Sequence, residues 1–239
     1  MITDMDRYID IGANLTGSSF KQDLPEVIER AQMVGVEKMV VTGTDIDHSA
    51  QALALSEQYQ GVCYSTAGVH PHHASDYSSA VDSEIRDMLV QPGVVAVGEC
   101  GLDFNRNFST RSEQIGAFES QLEIAIDTGM PVFLHQRDAH DDFVAMIKLC
   151  GDDLGQLDAH CFTGIIDEVN DYVTLDMYSG VTGLICDESR GKSLQQAVKH
   201  IPLDRIMLAT DAPYLLPRDR PVKPHKKNRN EPCYLPHIA

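Results

Sequence analysis

Eight short runs rich in β-branched and apolar residues punctuate this sequence, at residues 8–11, 38–42, 63–69, 94–98, 132–135, 157–160, 178–182 and 206–210. A segment of helical period follows each of the first seven. In the first, Leu24, Val27, Ile28, Ala31 and Val34 fall on one face; in the fourth, residues 113–128 carry Ile115, Phe118, Leu122, Ile124, Ala125 and Ile126; the sixth carries Ile165, Ile166, Val169 and Tyr172. Parallel neighbours need long crossovers, normally helices, so this alternation predicts a parallel sheet. Eight such units predict a closed (β/α)8 barrel. An open, doubly wound sheet is the alternative, but no GxGxxG follows the first run. Gly and Pro are spread evenly and no linker divides the chain, so residues 1–239 read as a single α/β domain. A Pro- and Lys/Arg-rich stretch follows the eighth run, and the barrel is expected to lack its last helix.

Charge and cysteine usage limit what such a barrel does. With 36 acidic and 19 basic side chains the net charge is −17, which argues against tight binding to nucleic acid through a broad basic surface. It does not exclude an enzyme that meets phosphates through a metal. The six cysteines are scattered with no CxxC, so a reduced, cytoplasmic protein is expected rather than a disulfide scaffold. No apolar run approaches the roughly 20 residues that span a bilayer. The acidic N-terminus has no apolar signal-peptide core. No membrane partner is expected, and the oligomeric state is expected to be monomeric.

Barrel enzymes work at the C-terminal ends of their strands. Five of the eight runs end in polar, ligand-capable residues: AGVHPHH (67–73), VGECGLD (97–103), FLHQRDA (133–139), DAHCFTG (158–164) and LATDAPYLLP (208–217). Glu99, His135, His160 and Asp211 therefore converge on one mouth. Two imidazoles and two carboxylates suit Mg²⁺, Mn²⁺ or Zn²⁺. Plainer roles exist for each: a salt bridge to Arg137 or Arg106 for Glu99, a hydrogen-bonded structural role for either histidine, and the start of an Asp-Ala-Pro turn for Asp211. His70 either reaches substrate or shapes a turn. Asp103 and the Arg137–Asp138 pair either orient ligands or form structural bridges. Cys100 and Cys161, beside the proposed ligands, are expected to point away and pack.

IDIGANLT (9–16), VTGT (41–44), STAGVHPH (65–72), VAVGECGLDFNRNFS (95–109), PVFLHQRDAH (131–140), AHCFTG (159–164), TDAPYLLPRD (210–219) and RNEPCYLPHI (229–238) together resemble the TatD-type metal-dependent deoxyribonucleases, most closely the bacterial TatD branch. The resemblance implies a TIM barrel of the metallo-dependent hydrolase type and a 3′–5′ exonuclease acting with Mg²⁺ on DNA and RNA that have a free 3′ end, with DNA repair as a setting. It implies Glu99, His135, His160 and Asp211 as metal ligands. Three departures accompany it. Gly12-Ala13-Asn14 stands where most of the wider family has His-x-His, as in the TatD branch, which leaves Asn14 a neutral oxygen for a second ion. Ala209 replaces a glutamate, removing a carboxylate near the ligands. The family continues through a further helical segment.

The expected mechanism has Glu99 and Asp211 as catalytic residues, Glu99 shared between ions and Asp211 positioning or deprotonating the attacking water. Residues 218–229 hold six Lys/Arg and one Asp, so Lys226 and Lys227 are candidate phosphate contacts. Arg137 is another, since a guanidinium meets phosphate bidentately. Two competing functions share these residues: hydrolysis of another bond, such as an aminoacyl-tRNA ester, and a weakly active barrel serving as a binding partner.

Overall fold

The structure, a computed structural model, describes residues 6–220, 224–226 and 228–239. Eight parallel strands follow one another in chain order around a single sheet: β1 (Tyr8–Ala13), β2 (Val36–Val41), β3 (Cys63–Ala67), β4 (Val94–Asp103), β5 (Val132–Arg137), β6 (Leu157–Ala159), β7 (Tyr178–Val181) and β8 (Ile206–Leu208). Closure comes just beyond β8. Ala13 bridges to Ala212, the Asp211 N–H donates to Gly12 O at 2.9 Å, and the Asn14 N–H donates to Ala212 O at 2.7 Å. The fully buried Asp10 reinforces the seam, its carboxylate accepting from the N–H groups of Gly12 (3.2 Å) and Thr210 (2.9 Å) and from the Thr210 hydroxyl. The predicted barrel is observed, and each of the eight strands overlaps its β-branched and apolar run.

The helices α1 (Leu24–Met33), α2 (Ile46–Gln58), α3 (Ser79–Leu89), α4 (Arg111–Thr128), α5 (His140–Cys150), α6 (Ile166–Thr174) and α7 (Lys192–Ala197) fill the seven crossovers. The longest, α4, begins with a capping box in which the Thr110 side chain accepts from the Glu113 N–H while the Glu113 carboxylate accepts from the Thr110 N–H. It ends at Gly129 in the left-handed region, φ 66°. Its buried face sets Phe118, Leu122, Ile124 and Ala125 against β4, and Phe118 stacks on Phe143 of α5 at 5.5 Å. Two buried amides on that face act on the barrel mouth. Gln114 bonds both the N–H and the carbonyl of Asp103, and Gln121 does the same for Val69. These bonds fix the loop after β3 and the end of β4.

Residues 229–231, beyond β8, lie against the barrel seam and α1. Asn230 donates to Thr210 O at 2.8 Å, and the buried Arg229 joins Asp23 at 2.8 Å and Glu231. Arg30 of α1 donates to the other oxygen of Glu231 at 2.9 Å. A single turn, α8 (Leu235–Ile238), packs Leu235 and Ile238 beside Ala13, Phe20 and Val181. The three β8 residues are only half-buried, and Ile9 on β1 is 51% exposed. Among the described residues no helix is long and apolar enough to cross a membrane.

Candidate active site

β4 runs five residues beyond its expected end because it contains a bulge. Gly98 pairs with Phe133 and Cys100 with Leu134, leaving Glu99 as the extra residue between them. Strict alternation would put residues 97 and 99 on one face. Instead Val97, Cys100 and Leu102 share the helix-facing core, and Glu99 turns into the barrel. Glycines make this possible: Gly98 (φ 130°) and Gly101 (φ 138°) lie in the left-handed half of conformational space, and a Cβ at either would strike the carbonyl of Phe133 or of His135. The displaced Glu99 N–H donates to Gly43 O at 2.8 Å instead of to the sheet ladder.

Ordinary alternation delivers the other groups. On β5, Val132 and Leu134 face the helices, so His135 faces inward; on β6, Leu157 and Ala159 do, so Asp158 and His160 face inward. The Glu99 carboxylate becomes the centre of a histidine cluster, its Oε1 lying 2.7 Å from His160 Nε2, 3.1 Å from His135 Nδ1 and 3.5 Å from His70 Nε2. Asp211 sits on the wall of the same cavity in the left-handed region (φ 52°), held by the Asn14 side-chain N–H donating to its Oδ1 at 3.0 Å. The cavity has a volume of about 560 Å³ and opens at the C-terminal ends of the strands.

Burial and charge compete at each group. Burial pushes the Glu99 carboxyl up, but His160, His70 and the His135 hydrogen bond outweigh it and hold it well below the carboxylate range. Burial would lower His135, yet the Asp103 and Glu99 carboxylates lift it to about 9. Burial dominates at His70, held well below the usual imidazole value, and at Asp211, raised to about 6. The His70 Nδ1 accepts the His72 N–H at 3.1 Å, so a neutral His70 carries its proton on Nε2, facing Glu99. Beneath His160, Asp158 is buried with neither oxygen bonded among the described residues, and burial raises it to about 7.

These residues fit a divalent cation. The donor atoms of His70, Glu99 and His135 lie within 4.8 Å of one another, and His135 Nε2 and His160 Nδ1 are buried without a hydrogen-bond partner among the described residues. An N/O set of this kind suits ions from Mg²⁺ to Zn²⁺. A profile of the family described as TatD-related DNase matches residues 9–239. The chain belongs to that family. It is 51% identical over 231 residues to the 3′-5′ ssDNA/RNA exonuclease TatD of Edwardsiella piscicida, covering 97% of this chain and 88% of that one. It is 52% identical over 230 residues to the same-named protein of Musicola paradisiaca (96% and 87%). A TatD homologue of Escherichia coli K12 superposes with a TM-score of 0.86 at 29% identity, covering 97% and 87%. A TatD-family hydrolase of Entamoeba histolytica gives 0.88 at 24% identity over 99% and 90%, which shows the shared fold.

Against this family background, the structure departs from the sequence-based expectations at several residues. Glu99 has three histidine neighbours and no arginine bridge among the described residues. Cys100 packs as expected, but Cys161 lines the cavity, its Sγ 3.8 Å from Thr182 Oγ1, because it lies beyond the end of β6 where alternation no longer holds. Asp103 bonds His72 at 2.8 Å and lies 3.4 Å from His135 Nε2, so it orients the cluster as one of its alternatives required. Arg137 and His70 line the cavity. Lys226 does not: its ammonium lies 3.0 Å from Asp23, drawn into the ion network around Arg229. Lys227 lies outside the described residues. Sequence reading missed Arg106, Phe108 and Tyr214 on the cavity wall. The exposed aromatics among them carry a signal, since LDFNRNF and DAPYLLP place them within a few residues of the motif acids.

Proposed function

We propose that this chain is a metal-dependent 3′–5′ exonuclease that hydrolyses phosphodiester bonds in single-stranded DNA and RNA. The observation that carries the reading is the convergence of His135, His160 and His70 on one buried carboxylate oxygen at the floor of an open cavity, with Asp211 on its wall. Glu99, His135, His160 and Asp211 would hold a divalent cation, with Mg²⁺ the favoured ion, which would supply charge to the phosphoryl oxygens and activation to water. Asp211, on the wall of the same cavity, is the residue placed to position or deprotonate the attacking water. The Asn14 bond fixes its Oδ1 and leaves Oδ2 for that water. His70, kept neutral by burial, stands beside Glu99 on the same cavity as a substrate-facing residue.

Substrate engagement follows from the wall of the same cavity. Arg106, whose guanidinium lies 6.0 Å from the centre of the Phe108 ring, and Arg137 make no ion pair among the described residues, so both charges can meet phosphates despite the chain's charge of −17. Phe108 and Tyr214 are 66% and 62% exposed at the cavity, where flat apolar rings offer stacking faces to unpaired bases. A barrel interior is packed, so the cavity is blind and takes a chain end more readily than a through-running duplex. Six free cysteines suit a reducing, cytoplasmic setting, and a monomer carries every group named.

The test is 5′-labelled single-stranded DNA with Mg²⁺, with and without chelator, beside Glu99→Gln. A metal-dependent ladder that shortens from the 3′ end, absent in the variant, is the expected result. Intact DNA under all conditions, or equal activity in Glu99→Gln, refutes the reading.

A further inference from the structure

Beyond the catalytic cavity, three side chains from separate segments meet. Cys186 ends the turn that follows β7, Asp219 lies in the stretch after β8, and His237 belongs to α8. Their Sγ, carboxylate oxygen and imidazole nitrogen all lie within 4.8 Å of one another, and His237 Nε2 is 2.9 Å from Asp219 Oδ1. None of the three lines the catalytic cavity. Cys186 is half-buried, and Asp219 is 50% exposed, so the group is open to solvent on one side.

The surrounding charges leave this trio to itself. Arg218 precedes Asp219 but is turned away, its Nε 3.2 Å from the buried Asp187, which also takes Arg190 at 2.8 Å. No basic group other than His237 is therefore paired with Asp219 among the described residues. A carboxylate beside a half-buried thiol discourages thiolate formation, and burial together with Asp219 pushes Cys186 up to about 11. A bound cation would replace the thiol proton and make the three a ligand set.

We propose that Cys186, Asp219 and His237 form a second metal site that takes zinc, with water as the fourth ligand. One thiolate, one imidazole and one carboxylate make a borderline-soft S/N/O set, which selects Zn²⁺ over the hard, all-oxygen preference of Mg²⁺. Its role is structural: the ion ties α8 and the segment following Asp211 to the turn after β7, beside the catalytic mouth. Loading displaces the thiol proton, so zinc binding releases a proton and weakens as pH falls. The site is chemically distinct from the Glu99 cluster, which contains no thiolate ligand, and the inference does not depend on the nuclease reading.

The experiment uses the full chain, stripped with chelator and titrated with Zn²⁺, or with Co²⁺ as a spectroscopic stand-in. The wild-type protein should bind one equivalent of zinc more than Cys186→Ser and should show a thiolate-to-cobalt charge-transfer band in the near ultraviolet. That band should persist in Cys161→Ser, which removes the thiol at the catalytic cavity, and vanish in Cys186→Ser. His237→Ala should weaken zinc at this site by more than the ~10–100-fold typical of losing an outer hydrogen-bond partner. Magnesium-dependent nuclease activity of Cys186→Ser should stay close to wild type. Alkylation of Cys186 by iodoacetamide, mapped by mass spectrometry on the wild-type chain, tests the site without any variant, and zinc should slow it. Equal zinc stoichiometry in wild type and Cys186→Ser, a band that survives in Cys186→Ser, or an alkylation rate indifferent to zinc would each overturn the proposal.

Discussion

Asp10 carries a charge that the fold does not readily accommodate, and its titration should be visible in the stability of the whole domain. Burial raises its carboxyl to about 7, against the partial relief of bonds from Thr210 and Gly12. An unfolded aspartate titrates at about 3.9. Below about pH 4 both states hold the proton; between there and about pH 7 only the folded state does. Stability from this group is therefore complete at the acid end, is lost as pH rises through that window, and stays lost above it. Three pH units correspond to about 4 kcal/mol, an upper bound because the denatured chain already shields part of its surface. Asp10→Asn keeps an oxygen for the N–H groups of Gly12 and Thr210 and has nothing to titrate. Its stability relative to wild type should climb from about pH 4 to about pH 7 and then level off. Asp10→Ala, which strands the Thr210 N–H and hydroxyl, should cost about 2–4 kcal/mol at about pH 5. Urea unfolding followed by circular dichroism at about pH 5 and about pH 8 reads all three proteins. A stability gap between Asp10→Asn and wild type that is equal at the two pH values would refute the reasoning.

Other expectations follow from single residues. Phe108→Ala should lower kcat/KM on single-stranded oligonucleotides by about 5–100-fold, with little loss on a substrate whose terminal residues are abasic; equal losses on both would remove the stacking role. Lys226→Ala should leave the oligonucleotide KM within about twofold and the unfolding midpoint nearly unchanged, because its partner Asp23 keeps Arg229; a large KM effect would return it to the substrate path. Thr110→Ala, losing the cap of α4, should cost about 1 kcal/mol in urea titration without changing KM. Gln114→Leu should cost about 2–3 kcal/mol, since it unpairs both backbone groups of Asp103, and should also lower kcat through the displaced His72 and His135.

Where local rules hold without interruption, residue types alone locate the chemistry. His135 and His160 follow strict alternation on short strands, so their inward direction is legible from Val132, Leu134, Leu157 and Ala159. Glu99 is a different case. Its position near a strand end was readable, but its direction depends on a bulge, and a single extra residue inverts alternation without leaving a period to detect. Cys161 was misread for the related reason that β6 ends at Ala159. Lys226 shows the limit of charge counting: six cations in a stretch say nothing about which acids lie across about 200 residues of chain to neutralise them. The proton position on His70 depends on the backbone N–H of His72, a detail of loop geometry rather than of composition.

The ion network around Arg229 has a consequence for how the chain is made and unmade. Asp23 and Arg30 leave the ribosome early, while their partners Arg229 and Glu231 come about 200 residues later. Until then α1 has its apolar face but not its charged anchors. A protease that cuts near residues 226–231 would reverse that last step, and the damage would surface at the opposite end of the sequence. Limited proteolysis of this protein should therefore report a nick near the carboxyl terminus as loosening of its first helix.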